Sequence, residues 1–429
     1  MLRLPSLLLV AGICAVTSWA QTPTGQVTAL LTSASPESAN MSPARLDRID
    51  AMIEQAIAKE QVPGAVALIA RHGKIVYHRA FGRGDPDGTP LDQDSIFRIA
   101  SQTKAITATA VMMLWEEGHF RLNDPLSKFL PEFANPQVLE AYDEATGRYI
   151  TRPAASEITI RQLITHNAGI GYGIIDRDPR MKQIYIDAGI TDLFSTEAVV
   201  LADNVKKIAA LPLIFDPGKA FHYSEGLDIA GRLVEVVSGL PFDKFLQTHI
   251  FGPLGMTDTQ FYLRPDQVDR LVTVQQPGAD GGWIKYQGTE HYDADYPMKG
   301  ARTWFSGGAG LTSTVEDYVK FLQMYLNGGV YNGTRLLSRT TIDTIMAHQS
   351  DLADTSFFGI AFRVVNEAGG AEGGLGGIET FSGGGYFNTS YFADPHEQLV
   401  GMIFKQTRNQ KDDETSWKFM QLTFAAIDD

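Results

Sequence analysis

The sequence predicts an α/β protein in which both ends of the chain build one sheet layer and a mostly helical lobe is inserted between them. Three observations carry this reading. A helix followed by a strand hairpin opens the folded part, over about residues 42–81. Strands and amphipathic helices return after Gly307. Between them, residues 121–296 read as helix and loop rather than as the two-residue alternation of strands.

Taken in order, the chain starts with Arg3, an apolar run from Leu4 to about Val16, and Ser18-Trp19-Ala20. This is the pattern of a secretory signal peptide over 1–20, cleaved after Ala20. The run is too short for a permanent membrane span, and an uncleaved anchor is the competing reading. Residues 21–41, rich in Ser, Thr, Ala and Pro, read as a linker. Ser42-Pro43 opens a helix with Leu46, Ile49, Ile53, Ala56 and Ile57 on one face, and Val62-Pro63-Gly64 ends it. Residues 65–70 and 74–81 read as strands about a His72-Gly73 turn. Residues 101–117 form a helix that Gly118 stops. It is apolar on most sides, so it belongs in the centre of the protein.

In the inserted lobe, residues 227–237 and 242–250 read as helices, followed by a Gly252-Pro253-Leu254-Gly255 turn. Residues 313–326 form an amphipathic helix through Val315, Val319, Phe321, Leu322 and Leu326. Strands are expected over 358–365, 380–393 and 398–405, a glycine-rich loop over 369–377, and a closing helix over 416–427. The expected organisation is an α/β lobe from 42–120 and 305–429, and a helical lobe from 121–304.

Composition excludes several classes. The single cysteine, Cys14, lies in the leader, so the cleaved chain has no disulfide, thiolate ligand or cysteine nucleophile. An exported chain without disulfides suits a bacterial periplasm. The net charge of -14 and the absence of a Lys/Arg cluster argue against nucleic acid or anionic lipid as a partner. No close His or carboxylate ligand spacing suggests a metal, and no cofactor motif is present.

The chemistry centres on Ser101-Gln102-Thr103-Lys104, the one Ser-x-x-Lys of the chain. Residues three apart share a helix face. Lysine can take the serine proton only as the neutral amine, so its ordinary pKa of about 10.4 must be lowered. Burial and the positive helix N-terminus both act in that direction. The Ser101 N–H at the helix start can meet an oxyanion. Chance supplies roughly one such tetrapeptide in a chain this long, so the neighbours decide. Tyr223, in His222-Tyr223-Ser224-Glu225, is a candidate proton shuttle. Phe381-Ser382-Gly383-Gly384-Gly385-Tyr386 places glycines inside a strand, where a ligand or another backbone comes close.

Together these pieces resemble the serine β-lactamase and penicillin-binding superfamily, its class C-like branch, and within that the family VIII carboxylesterases. Further residues carry the resemblance: Leu163-Ile164-Thr165-His166-Asn167-Ala168-Gly169, Gly226-Leu227-Asp228, Gly252-Pro253-Leu254-Gly255-Met256 and Ser306-Gly307-Gly308-Ala309-Gly310-Leu311. It implies a β-lactamase-like fold, an antiparallel sheet flanked by helices with the helical lobe inserted. It also implies that Ser101 is the nucleophile, Lys104 its base and Tyr223 a second base or acid. The oxyanion hole would be the N–H groups of Ser101 and Gly385. Substrate would lie against Glu225, Ser382, Gly383 and Gly384.

Two departures bear on substrate. Glu225 replaces the Asn of the tyrosine motif, and Ser382-Gly383-Gly384 replaces Lys-Thr-Gly. Both make an anionic β-lactam a poor fit, so small neutral acyl esters are expected, with weak or absent β-lactamase activity. A β-lactamase, a D-amino-acid peptidase or amidase, and a transacylase use the same site. A non-catalytic cell-wall sensor is the alternative of another class. No Gly-x-Ser-x-Gly elbow supports a Ser-His-Asp triad, and His166 is expected to be a hydrogen-bonded structural residue.

Overall fold

The computed structural model describes residues 30–289 and 291–429. The signal peptide expected over 1–20 and the linker as far as residue 29 lie outside the described residues. The remainder of that linker differs from expectation. Thr32–Ser33 (β1) adds a short strand to the main sheet, and Pro36–Ala39 forms a turn of 3-10 helix. Arg71, only 2% exposed, explains why. Its guanidinium donates to the carbonyls of Ala39 and Asn40 at 3.1 and 3.0 Å. A long-range bond of this kind leaves no periodic trace in the sequence.

The first helix, α1, is Pro43–Ala58, and it buries Leu46, Ile49, Ile53 and Ala56. The hairpin follows as β2 (Gly64–Arg71) and β3 (Lys74–Gly82). All eight residues of β2 are buried, as a strand covered on both faces must be. Helix α2, Thr103–Glu116, is buried from Thr103 through Leu114. That agrees with an apolar content too even to leave a wet face. In the inserted lobe, α3 (Gly226–Ser238) packs against α2. Beyond it, α4 (Val315–Leu326) is capped by Thr314, whose hydroxyl accepts from the Asp317 N–H.

The C-terminal part supplies β4 (Ser350–Ala353), β5 (Ser356–Phe358), β6 (Arg363–Val365), β7 (Phe381–Gly384), β8 (Thr389–Asp394), β9 (Leu399–Phe404) and α5 (Thr415–Ala425). The sheet runs β1-β3-β2-β9-β8-β7-β6-β5-β4. Every pair is antiparallel except β1 with β3. The first and last parts of the chain thus meet at β2 and β9. One face, with Val400, Met402, Phe404, Tyr391 and Phe381, packs toward α2 and α4. The other, with Leu399, Ile403 and Phe392, packs against α1 and α5 through Leu46, Ile49, Ile53 and Phe419.

Two expected strands are each broken by a turn. The 358–365 stretch turns at Gly359 to Phe362, where Ala361 takes a φ of 81°. The 380–393 stretch is a hairpin, β7 to β8, whose turn ends on Asn388 with a φ of 73°. An Asn in the left-handed region closes such a hairpin at little cost. Among the described residues, no helix is long and apolar enough to cross a membrane.

Candidate active site

Ser101 lies in a 3-10 turn, Ala100–Gln102, that leads directly into α2. Ala100 is fully buried and has a φ of 45°. A non-glycine residue in this conformation costs roughly 1–2 kcal/mol, and the surrounding structure imposes it. The Ile99 N–H donates to the Leu311 carbonyl at 3.0 Å, and the Leu311 N–H donates to Thr103 Oγ1 at 3.1 Å. Ser101 is half-buried and therefore reachable from solvent, whereas Lys104 is buried.

Lys104 Nζ has three oxygen neighbours. They are the Gly308 carbonyl at 2.7 Å, Tyr172 Oη at 2.9 Å and Ser101 Oγ at 3.4 Å. The glycines of the 306–311 strip allow this approach. A Cβ on Gly307 would collide with the Leu227 carbonyl of α3. Asp228 of the same helix accepts from the Gly308 N–H at 3.1 Å and so holds the residue whose carbonyl meets Lys104.

Tyr223 Oη donates to Ser101 Oγ at 2.8 Å, so the structure brings Ser101, Lys104 and Tyr223 together. The Thr165-His166-Asn167-Ala168-Gly169 stretch holds the tyrosine there. His222 N–H donates to the His166 carbonyl at 2.8 Å, and Ser224 N–H to His166 Nδ1 at 3.1 Å. Gly169, with a φ of 78°, admits the Phe215 carbonyl where any Cβ would stand. His166 is the structural residue expected. Its ring lies 4.7 Å from that of Tyr223, tilted by 40°, and Tyr172 stacks on Tyr223 at 5.3 Å. Burial, then the charges of Lys104 and His222, hold the His166 pKa well below its ordinary range, so the ring is neutral. His222 pairs instead with Asp176, Nε2 to Oδ2 at 3.1 Å. Neither histidine is hydrogen-bonded to Ser101, in keeping with the absence of a Ser-His-Asp triad.

Four expected site residues are placed differently. Glu225 does not face substrate: it is completely buried, and neither carboxylate oxygen has a hydrogen-bond partner. Burial, then Asp192 and Asp228, push its pKa well above the ordinary carboxylate range against the opposing charge of Lys104. It therefore cannot repel an anionic substrate as a surface charge would. The strand pleat overturns the expectation for Ser382 and Gly384. Ser382 pairs with Phe392, which belongs to the α1 and α5 face, so both turn away from α2. Gly383 and Gly385 face α2 instead, opposite Tyr391 and Thr389.

The last correction concerns Gly385. Its N–H donates to the Thr389 carbonyl at 2.8 Å within the hairpin, so it is not free to bind an oxyanion. Alternate N–H groups of a strand point to opposite edges. That of Gly384 therefore points to the edge that β6 covers only as far as Ser382. What Gly385 does provide is proximity. Its missing side chain lets the hairpin lie on Ile99, two residues before Ser101, and a Cβ would collide with the Ile99 carbonyl oxygen. Gln102 Nε2 donates to Thr389 Oγ1 at 2.9 Å and ties the two segments together.

Sequence reasoning missed Tyr172, the Gly308 carbonyl as a lysine partner, and the buried Asp192. Tyr172 has no local motif of its own. Gly308 was visible only as part of a glycine-rich strip whose purpose appears once α2 and α3 are packed.

A serine in the turn that leads into a buried helix, a lysine in that helix's first turn and a tyrosine delivered from an inserted lobe define a serine acyl-transfer site. The Beta-lactamase family model matches residues 49–424, and the chain belongs to the β-lactamase family as a serine hydrolase. It is 29% identical to the esterase EstB of Burkholderia gladioli over 84% of this chain and 90% of that one. It is 31% identical to a lovastatin esterase of Penicillium rubens over 82% of this chain and 91% of that one. The solved structure of EstCE1, described as a hydrolase with promiscuous acyltransferase activity, superposes with a TM-score of 0.75 at 24% identity, covering 88% of this chain and 97% of that one.

Proposed function

We propose that this enzyme is a carboxylesterase for small, neutral acyl esters, with little or no turnover of β-lactams. Ser101 Oγ attacks the ester carbonyl as its proton passes to Lys104, and a C–O bond to the enzyme forms. The alcohol leaves as its own C–O bond breaks, and Tyr223 returns a proton to it. The Lys104 ammonium then restores the Tyr223 proton, water attacks the acyl-Ser101 ester and loses its proton to the freed Lys104 amine, and that proton passes to Ser101 Oγ as the acid leaves. The Ser101 N–H supplies one oxyanion donor, and the open edge of β7 at Gly384 supplies the second.

One observation carries the substrate class. The β7 hairpin turns Phe381, Gly383 and Gly385 toward α2, and none of them is a cation. At Gly383 a Cβ would stand 2.6 Å from Tyr391 Oη and 2.8 Å from its Cζ, so the phenol leaves no room there for a long cationic side chain, and Ser382, at the lysine position of the motif, is uncharged. Without that cation, a carboxylate beside the reacting carbonyl has no partner from this strand. The names of the two esterase relatives support cleavage of an ester.

The test compares specificity constants for p-nitrophenyl acetate and butyrate with that for nitrocefin. It is joined to intact mass analysis after fluorophosphonate treatment. Esters are expected to lead, and Ser101→Ala to remove the adduct. A larger constant for the cephalosporin would overturn the substrate assignment, and an unlabelled Ser101 would overturn the nucleophile. Export rests on the pattern of residues 1–20. N-terminal sequencing of secreted protein is expected to begin at Gln21.

A further inference from the structure

Three carboxylates, Asp192, Glu225 and Asp228, are buried near Lys104, and none forms a salt bridge among the described residues. Their arrangement is not one that could hold a metal ion. They differ in what they accept. Asp192 Oδ2 takes the Ile174 N–H and the Tyr292 O–H, each at 3.1 Å. Asp228 Oδ1 takes the Gly308 N–H at 3.1 Å. Glu225 takes nothing on either oxygen.

Glu225 also shares its space with Asp192. A Cβ on Gly173 would collide with the Asp192 carboxylate and stand 3.1 Å from Glu225 Oε1, so two acid groups converge over one glycine Cα. A fully buried carboxylate with no donor, crowded by a second carboxylate, is far less stable than the neutral acid. Between the two, the hydrogen-bonded Asp192 is the one that ionises first, and Glu225 keeps the proton.

We propose that Glu225 is a neutral carboxylic acid in the working enzyme and a positioning residue for Lys104, controlling the charge beside that amine without touching substrate. This rests on the reading of Lys104 as the base. In the related tyrosine motif the position holds the neutral amide of Asn, and a protonated Glu is uncharged likewise. Ionising it would add a buried negative charge near Lys104 and favour the ammonium, which cannot accept the Ser101 proton. The groups facing Glu225 come from every side. They are Lys104 of α2, Asp228 of α3, Asp176, Asp192, Tyr172 and Tyr292 from loops, and Tyr185 from the helix Pro179–Asp187. Lys104 is the cation among them; the remaining acids and phenols all favour the proton on Glu225.

The test is an infrared difference spectrum, wild type minus Glu225→Gln, at neutral pH, paired with pH profiles on p-nitrophenyl acetate. The carbonyl band of a protonated carboxylic acid is expected in wild type and absent from the variant. Glu225→Gln is expected to keep kcat/KM within about threefold at neutral pH and to hold activity further into alkali than wild type. Absence of the band overturns the proposal. So does a folded Glu225→Gln that loses roughly 100-fold or more, because a charge would then be needed. Coincident alkaline limbs overturn the link to Lys104. Should the glutamine variant fail to fold, Glu225→Asn serves in the same measurements. Lys104→Ala separates the two readings. If it retains activity, the base assignment falls; if it is inactive and the band is missing, only the role of Glu225 falls.

Discussion

Replacing Tyr172 with Phe removes one oxygen and leaves the ring stacked on Tyr223. That oxygen lies 2.9 Å from Lys104 Nζ in a wholly buried position. Without it, the lysine keeps the Gly308 carbonyl at 2.7 Å and the more distant Ser101 Oγ at 3.4 Å. In the proposed mechanism Lys104 becomes an ammonium as it takes the serine proton, so the phenol oxygen accepts a stronger hydrogen bond in the transition state than before it. A hydrogen bond to a charged group contributes about 1.5–3 kcal/mol. At about 1.4 kcal/mol per factor of ten, its loss lowers kcat by roughly 10- to 150-fold. KM is expected to stay nearly constant, because Tyr172 is buried behind the lysine. The assay is steady-state hydrolysis of p-nitrophenyl acetate, with thermal unfolding as the control for packing. A folded Tyr172→Phe enzyme with kcat within twofold of wild type would refute the reasoning.

Gly385→Ala presses a methyl group into the Ile99 peptide, 3.1 Å from its carbonyl carbon, and forces the hairpin away from the turn that carries Ser101. A displacement of about 1 Å costs roughly 100-fold in kcat; unchanged kinetics would show that the hairpin does not set the site. Asp413→Ala strands the fully buried Lys405, whose Nζ meets Asp413 Oδ2 at 2.7 Å, and removes a partner of Asn388 Nδ2, also at 2.7 Å. Breaking such a pair costs about 3–5 kcal/mol, read by urea unfolding, and a loss under about 1 kcal/mol would contradict the buried-pair account. Burial raises the Asp413 pKa, yet Lys405 and hydrogen bonds outweigh it and hold it below the ordinary range. Its contribution is thus present above the unfolded pKa of about 4 and lost as pH falls through the folded value.

Glu225 and Asp192 have the opposite sign. Burial pushes Asp192 up to about 7 and Glu225 well above its usual range. The folded chain then binds protons that the unfolded chain releases above about pH 4, so stability falls as pH rises, by up to about 1.4 kcal/mol per unit per proton. Unfolding series from about pH 5 to 8 are expected to show a shallower slope for Glu225→Gln, and equal slopes would exclude Glu225 as a proton carrier.

Much of the fold was legible because burial imposes periods. Helix α1 showed its core stripe at Leu46, Ile49 and Ile53, and α2 betrayed its central place by lacking a polar face. The hairpin about His72-Gly73 was legible from its turn. What misled was the 380–393 stretch. Its composition suits a strand throughout, but Asn388 and the Gly385 N–H bond to Thr389 fold it back on itself. The residues 30–41 read as a linker because the groups that hold them, Arg71 above all, lie elsewhere in the chain.

The sequence by itself determined that Ser101 and Lys104 are paired. A Ser-x-x-Lys at the start of a helix with apolar residues on most sides must place both groups on one face, and local geometry fixes that spacing. It also supplied the tyrosine that meets Ser101 at 2.8 Å. The tertiary structure decided how the neighbours are used. The pleat sends Ser382 to the far face, the hairpin commits the Gly385 N–H, and packing of α2 against α3 buries Glu225. A strand's facing, a donor's occupancy and a carboxylate's charge each depend on groups distant in sequence. Motif spacing alone could name these residues but not say what they do.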